Sequence, residues 1–349
     1  MTFSPISPSS TTTGHQKILC QTLLARTSSR GEVTFPCLPA GIDAYLVHLL
    51  ALFRQQGKIL SDSEASQLRQ TLHDGLTQGF AQTPNAQLVL RYEIQITPTL
   101  QKNLACQVAL SLPTVAERYK TWAETKDASM FGTHADAKVL EIVAALPSDG
   151  IVLDVGAGTG RNTFPLAQRG LQVDALELTP EFATHLRTIA QTQHLPISVI
   201  EGDVLAPETI LPSRRYHYGI VSEVTSHFRS VEQLRQLFER LSEAVIPGGV
   251  ILFNIFLAAD GFELDALTRE VAQAAWASVF TRSELNQAIA NLPLQIVSEE
   301  SVFEYERSHL PANAFPPTSW FVAWSTGQSV FPGLMQPPLS LHWIVCQRQ

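Results

Sequence analysis

Ile151-Val152-Leu153-Asp154-Val155-Gly156-Ala157-Gly158-Thr159-Gly160 decides the fold. A short apolar run carrying one acid ends in three glycines at alternate positions, and Asn162 to Arg169 then has the pattern of a helix. Glycine allows the chain to turn tightly and to approach a ligand with its backbone. The start of the following helix offers N–H groups that have no partner within the helix. A glycine-rich loop of this kind is shared by many nucleotide-binding enzymes, so alone it indicates only a nucleotide-like ligand. Arg161 stands where a dinucleotide fingerprint calls for Gly or Ala.

Outward from this loop, strand and helix patterns alternate. Helices are expected over Val115 to Glu124 and Ala135 to Leu146, then strand 151–155 and helix 162–169. Strand Gln172 to Leu176, helix Pro180 to Gln193 and strand Ile197 to Glu201 follow. Next come strand Tyr218 to Ser222, helix Val231 to Ala244 and strand Gly249 to Phe256. Such alternation predicts a doubly wound, mostly parallel α/β sheet. Thr281-Arg282-Ser283-Glu284 is a capping box opening a helix to about Leu292. Strands Leu294 to Phe303 and Leu339 to Gln347 close the chain with a proline- and aromatic-rich loop between them. With no helix expected in that connection, the two strands should pair antiparallel.

Residues 32–115 differ. Ile42 to Gln56 has apolar residues at helical spacing, Ser61-Asp62-Ser63-Glu64 opens a helix toward Phe80, and Gln87 to Ile96 and Leu104 to Leu112 are strand candidates. No catalytic motif falls there, so the segment is expected to be a mainly helical α+β accessory domain, with the catalytic domain over 116–349. The first 31 residues contain no acid, three basic residues and a Ser/Thr run. They are expected to form a flexible tail, the alternative being an organellar transit peptide.

Of the 349 residues, 45% are hydrophobic and 16% charged, enough apolar surface for a large core. A net charge of −8 and the lack of any basic run argue against nucleic acid as a partner and favour a small molecule. Ile42 to Phe53 is too short and too polar to span a bilayer. Four scattered cysteines show no metal-ligand spacing, so no metal is expected and the cytoplasm is the default location. The oligomeric state stays open.

Five elements, in order, resemble the class I S-adenosylmethionine-dependent methyltransferases. They are Asp154 to Gly160, then Glu177 at the end of the second strand, then Glu201-Gly202-Asp203-Val204. The helix, Pro-Gly-Gly turn and apolar strand of Leu241 to Phe253 follow, and then Phe280 to Leu285. The resemblance implies a seven-stranded Rossmann-like methyltransferase fold with S-adenosylmethionine as cofactor. It also implies cofactor contacts from Asp154, Gly156, Ala157, Gly158, Gly160, Glu177, Leu178, Asp203, Val204 and Ser222. In that family the acid two before the first glycine lies near the methionine end. The acid of the second strand bonds the ribose, that of the third bonds the adenine amino group, and the next residue packs on the ring. A shorter run, Gly160-Arg161-Asn162 through Asp174, is similar to tellurite-resistance methyltransferases.

Methyl transfer from a sulfonium needs alignment and desolvation more than a dedicated base. After the fourth strand, Glu223 could contact the cofactor or a substrate amine, and His227 could act as a base, although relatives often carry a histidine there as a packing residue. Tyr119, Trp122, Met130 and Phe131 could wall the acceptor pocket. Trp320 and Trp324 could form an aromatic lid over it; the competing reading is a cluster packed against the accessory domain. Two other functions compete: a non-catalytic cofactor-binding sensor, and a nicotinamide-dependent oxidoreductase, which Arg161 and the antiparallel ending disfavour.

Overall fold

The computed structural model describes residues 14–83, 85–97, 99, 101–114, 117, 132–145, 147 and 149–349. The chain divides into two compact units, Met1–Pro113 and Thr114–Gln349.

In the first unit the order is α1 (Gly14–Ala25), β1 (Ser29–Pro36), α2 (Ile42–Gln55), α3 (Asp62–Gln82), β2 (Gln87–Ile96) and β3 (Lys102–Ser111). The three strands form an antiparallel sheet in the order β1-β2-β3. Leu49 and Phe53 of α2 and Leu72 and Leu76 of α3 are fully buried with Leu88, Leu90 and Ile94 of β2. The capping box opens α3: Ser61 Oγ accepts from Glu64 N, and Ser61 N donates to Glu64 Oε2 at 2.7 Å. The flexible tail expected over 1–31 is corrected where residues are described. Gly14–Ala25 is a helix with Ile18 and Leu23 exposed, and β1 begins at Ser29. Composition missed β1 because its partner lies far along the chain, Ser29 facing Ile94 and Pro36 facing Gln87.

The second unit runs α4 (Ala137–Val143), β4 (Ile151–Val155), α5 (Thr163–Gln168), β5 (Gln172–Glu177), α6 (Pro180–Thr192), β6 (Ile197–Glu201) and β7 (Tyr216–Val221). It continues with α7 (Val231–Ala244), β8 (Val245–Ala258), α8 (Ala266–Ala274), β9 (Val279–Phe280) and α9 (Arg282–Ile289). The last elements are β10 (Leu294–Ser301), α10 (Val302–His309), α11 (Phe321–Ser325) and β11 (Leu339–Arg348). Strand order is β10-β11-β8-β7-β4-β5-β6, with the two-residue β9 beside β8. Strands β4 to β8 are mutually parallel, while β11 lies antiparallel between β8 and β10. This is the doubly wound sheet expected from the sequence.

One expectation about its ending is corrected. The β10–β11 connection contains α10 and α11, yet the strands still pair antiparallel because β11 inserts between β10 and β8. Val302 and Phe303, expected to end the strand, instead open α10, which Ser301 caps by accepting from Glu304 N.

Helix α7 shows how sequence periodicity becomes packing. Leu234, Leu237, Phe238 and Leu241 recur at helical spacing and are fully buried, and Ser230 caps the helix by accepting from Gln233 N. After β6 the chain returns to lay β7 on the other side of β4. Ligands of such sheets bind outside the carboxyl ends of the strands at this reversal. Among the described residues no helix is long and apolar enough to cross a membrane.

Candidate functional site

The glycine loop follows β4 and is tied to β5: Gly156 N and Ala157 N both donate to Leu176 O, at 2.8 and 3.1 Å. Gly156 has φ +72°, and a Cβ there would stand 2.4 Å from Val224 Cγ2. The loop therefore packs directly on the turn after β7, and only glycine allows it.

Asp154, at 2% exposure, accepts from Thr163 Oγ1 at 2.6 Å. Burial pushes its carboxyl up to about 6, partly opposed by that hydroxyl. Glu177 ends β5 and accepts from Gly158 N at 2.8 Å and from Thr179 N at 2.7 Å. Burial raises its pKa while these backbone donors lower it. Gly202 N donates to Glu177 O at 2.9 Å, so the β6 turn stands beside the end of β5. On that turn Asp203 is exposed and accepts from Leu205 N, Val204 is buried, and Leu178 stays 41% exposed across from them. The ends of β4, β5 and β6 thus bring Asp154, Gly156, Ala157, Gly158, Gly160, Glu177, Leu178, Asp203 and Val204 onto one rim.

On the other side of β4, Ser222 Oγ donates to Asp136 Oδ2 at 2.8 Å. Arg161 lies between two acids, Nη1 to Asp136 Oδ1 and Nη2 to Glu223 Oε1, both at 2.7 Å. Asn162 completes the knot: Nδ2 donates to Asp136 Oδ2, and Asp136 N donates to Asn162 Oδ1, both at 2.9 Å. Glu223 has φ +61°, a left-handed backbone rarely adopted by a side chain of this size, and its N–H donates to Asn254 Oδ1 at 2.8 Å. Burial is the leading cause raising its pKa, although its side chain keeps 29% of its surface. Its carboxylate is thus largely but not wholly withdrawn from water. His227, part-exposed on the same turn, is pushed down by burial to about 4, so its imidazole is neutral at pH 7. Its ring meets Trp276 edge-on, centroids 4.9 Å apart.

Residues 152–249 match the family model described as a methyltransferase domain. An uncharacterized methyltransferase of Alkaliphilus oremlandii is 25% identical over 44% of this chain and 70% of its own length. The carboxy-S-adenosyl-L-methionine synthase of Pseudomonas savastanoi pv. phaseolicola is 26% identical over 50% of this chain and 72% of its own. A solved geranyl diphosphate C-methyltransferase from Streptomyces coelicolor A3(2) is 16% identical, with TM-score 0.46 over 61% of this chain and 76% of that one. The chain carries a class I S-adenosylmethionine-dependent methyltransferase domain.

S-Adenosylmethionine is the cofactor of this methyltransferase, and the rim described above suits it. A Cβ placed on Gly158 would meet only the loop's own Gly156 O, at 3.8 Å, so the cradle is open there. Leu178 offers exposed apolar surface and Asp203 an exposed residue, each just past the paired ends of β5 and β6. The likeness to tellurite-resistance enzymes still rests on its short run of sequence.

The pocket expectations fare unevenly. Tyr119, Trp122, Met130 and Phe131 lie outside the described residues. Trp324 is corrected from lid to core: it is 7% exposed, packs edge-on against Phe256, and donates its indole N–H to Trp276 O at 2.8 Å. Trp320, half-buried, meets Trp324 edge-on, so the aromatic segment joins the core of its own unit instead of forming a free lid. Asp136, Asn254 and the ion-pairing role of Arg161 escape sequence reading, because their partners lie 25 to 62 residues away. The capped start of the segment after β8 is a solvated helix N-terminus, Asp265 accepting from Thr268 N at 2.7 Å.

Proposed function

We propose that this methyltransferase transfers its methyl group to a small-molecule acceptor bound beside the turn after β7. The observation that carries the reading is the placement of Glu223 and His227. Both are desolvated yet accessible, on the one turn that packs against Gly156 of the cofactor loop. A net charge of −8 supports a small molecule over nucleic acid, and four unpaired cysteines suit a reducing cytoplasm.

S-Adenosylmethionine supplies an electrophilic methyl group on a sulfonium. The protein's part is to hold and align. Asp203 and Leu178 would hold the adenine end, Glu177 the ribose hydroxyls, and the Gly156–Gly160 backbone the span toward Asp154. Arg161 fixes Glu223, and with it the turn that faces the acceptor. Neutral His227 can accept a hydrogen bond or a proton from an acceptor, but at a pKa of about 4 it is a weak base.

Calorimetry with S-adenosylmethionine, S-adenosylhomocysteine and NADH tests the cofactor site, and preferential NADH binding would sink the reading. Mass-shift assays on amines, phenols, thiols and carboxylates, with an RNA control, test the acceptor. Methylation of the RNA alone would overturn the small-molecule assignment.

A further inference from the structure

Asp136 stands at the N-cap of α4 with φ −60° and ψ 130°, yet its side chain makes no bond to the helix it begins. An aspartate at that position ordinarily accepts from the backbone N–H groups of the first turn, which have no partner within the helix. Here the carboxylate is turned elsewhere. Its Oδ1 accepts from Arg161 Nη1, and its Oδ2 accepts from Asn162 Nδ2 and Ser222 Oγ. Arg161 and Asn162 are the exit of the glycine loop, and Ser222 directly follows β7.

The helix is capped instead from 169 residues away. Glu306 of α10, 1% exposed, accepts from Ala137 N through Oε2 at 2.8 Å and from Lys138 N through Oε1 at 3.3 Å. Its Oε1 also accepts from the buried Trp343 Nε1 at 3.1 Å. A carboxylate has lone pairs enough for all three donors, whereas an amide of the same size would set an N–H group against one of them. Without Glu306 the first N–H groups of α4 would fall to their ordinary partner, the Asp136 side chain, and a carboxylate so used lets go of Arg161.

We infer that Glu306 is a positioning residue of the cofactor site, acting through Asp136. By capping α4 in place of Asp136, it leaves that carboxylate free to hold Arg161 and Asn162. These in turn fix where the Gly156–Gly160 loop runs into α5. The inference rests on the cofactor site read above and deepens it, because it makes the β10–β11 connection, which carries Glu306, part of what shapes the loop.

The test measures S-adenosylhomocysteine binding to the full chain by calorimetry, well below the unfolding midpoint of each variant, so that lost stability alone does not move the result. Glu306→Gln keeps the size of the side chain and is expected to weaken binding about three- to thirtyfold, the span shown by residues that act through a network. Tyr305→Phe is the comparison. It removes the hydroxyl that Tyr305 donates to Glu141, another tie between α10 and α4, and leaves Glu306 in place. Its affinity is expected to stay within about twofold of the parent. Where Glu306→Gln does not fold, hydrogen exchange on the parent chain answers. A cap that favours binding is by reciprocity favoured by it, so S-adenosylhomocysteine should slow exchange in peptides covering 136–145. Unchanged affinity in Glu306→Gln, an equal loss in Tyr305→Phe, or exchange over 136–145 that the bound cofactor product leaves as it was overturns the inference. No binding by the parent chain would overturn the cofactor site itself, and this inference with it.

Discussion

The two sides of strand β4 are built by different means. Toward β5 and β6 the rim is mainly backbone: the N–H groups of Gly156 and Ala157 bonded to Leu176 O, and Glu177 held by the N–H groups of Gly158 and Thr179. Toward β7 the surroundings are mainly side chain, with Arg161 clasped by Asp136 and Glu223, Asp136 braced by Asn162 and Ser222, and the Glu223 backbone by Asn254. A common cofactor can be met by a common backbone, whereas an individual acceptor requires side chains gathered from distant segments. The difference has measurable consequences.

The largest should come from the side-chain half. Arg161→Ala leaves the buried Asp136 and the half-buried Glu223 without their guanidinium, and removing one member of a buried pair costs about 3–5 kcal/mol. Urea unfolding measures it, and an unchanged midpoint would erase the contrast between the halves. Gly156→Ala attacks the seam between them. It combines left-handed strain of about 1–2 kcal/mol with overpacking of about 1–3 kcal/mol against Val224. Lost cofactor affinity alongside lost stability is the expected pair of results.

Asp154 sharpens the comparison through pH. Its folded pKa of about 6 lies above its unfolded value of 3.8, so the folded state holds the proton more tightly. The stability this contributes is present at low pH and is lost as pH rises through about 6. Relative to Asp154→Asn, the native chain should lose up to roughly 3 kcal/mol between pH 4 and 7. His227 and His342 carry shifts of the opposite sense, but both remain in the two proteins and cancel in the difference. Unfolding series for the two chains at several pH values give the slope, and parallel curves would remove the strain assigned to this carboxylate.

On the backbone half, Glu177→Ala should weaken S-adenosylmethionine binding by about 1.5–3 kcal/mol, the range for hydrogen bonds to charged groups. Calorimetry reads it directly, and unchanged affinity would mean that the rim meets its ligand elsewhere. The smallest effect belongs to the first unit. Ser61→Ala removes a helix cap and should cost about 1 kcal/mol without moving cofactor affinity. A lowered affinity in that variant would connect the first unit to the site.

How far these features were legible follows from the range of the interactions behind them. Val231 to Ala244 and the capping boxes at Ser61 and Thr281 are local patterns, and each folds where its residues predict. The residues of the rim fall together for the same reason, since each sits at or just past the end of a strand the sequence announces. β1 was missed because only its pairing with β2 makes it a strand. Trp324 was misjudged because an aromatic, proline-rich segment reads equally as a lid or as packing, and only its contacts with Phe256 and Trp276 O decide. Asp136 gives no signal beside its own neighbours; its meaning comes from Arg161, 25 residues away.

By itself the sequence determined the alternating sheet, the glycine loop and the acids at the strand ends. These are set by short-range propensity, periodicity and the conformational freedom of glycine. The tertiary structure alone decided that Arg161 joins Asp136 to Glu223 and that Val224 fills the space left by Gly156. The physical reason is that buried charge and shape are settled by which distant side chains meet, and those meetings exist only after the sheet has brought its strand ends together.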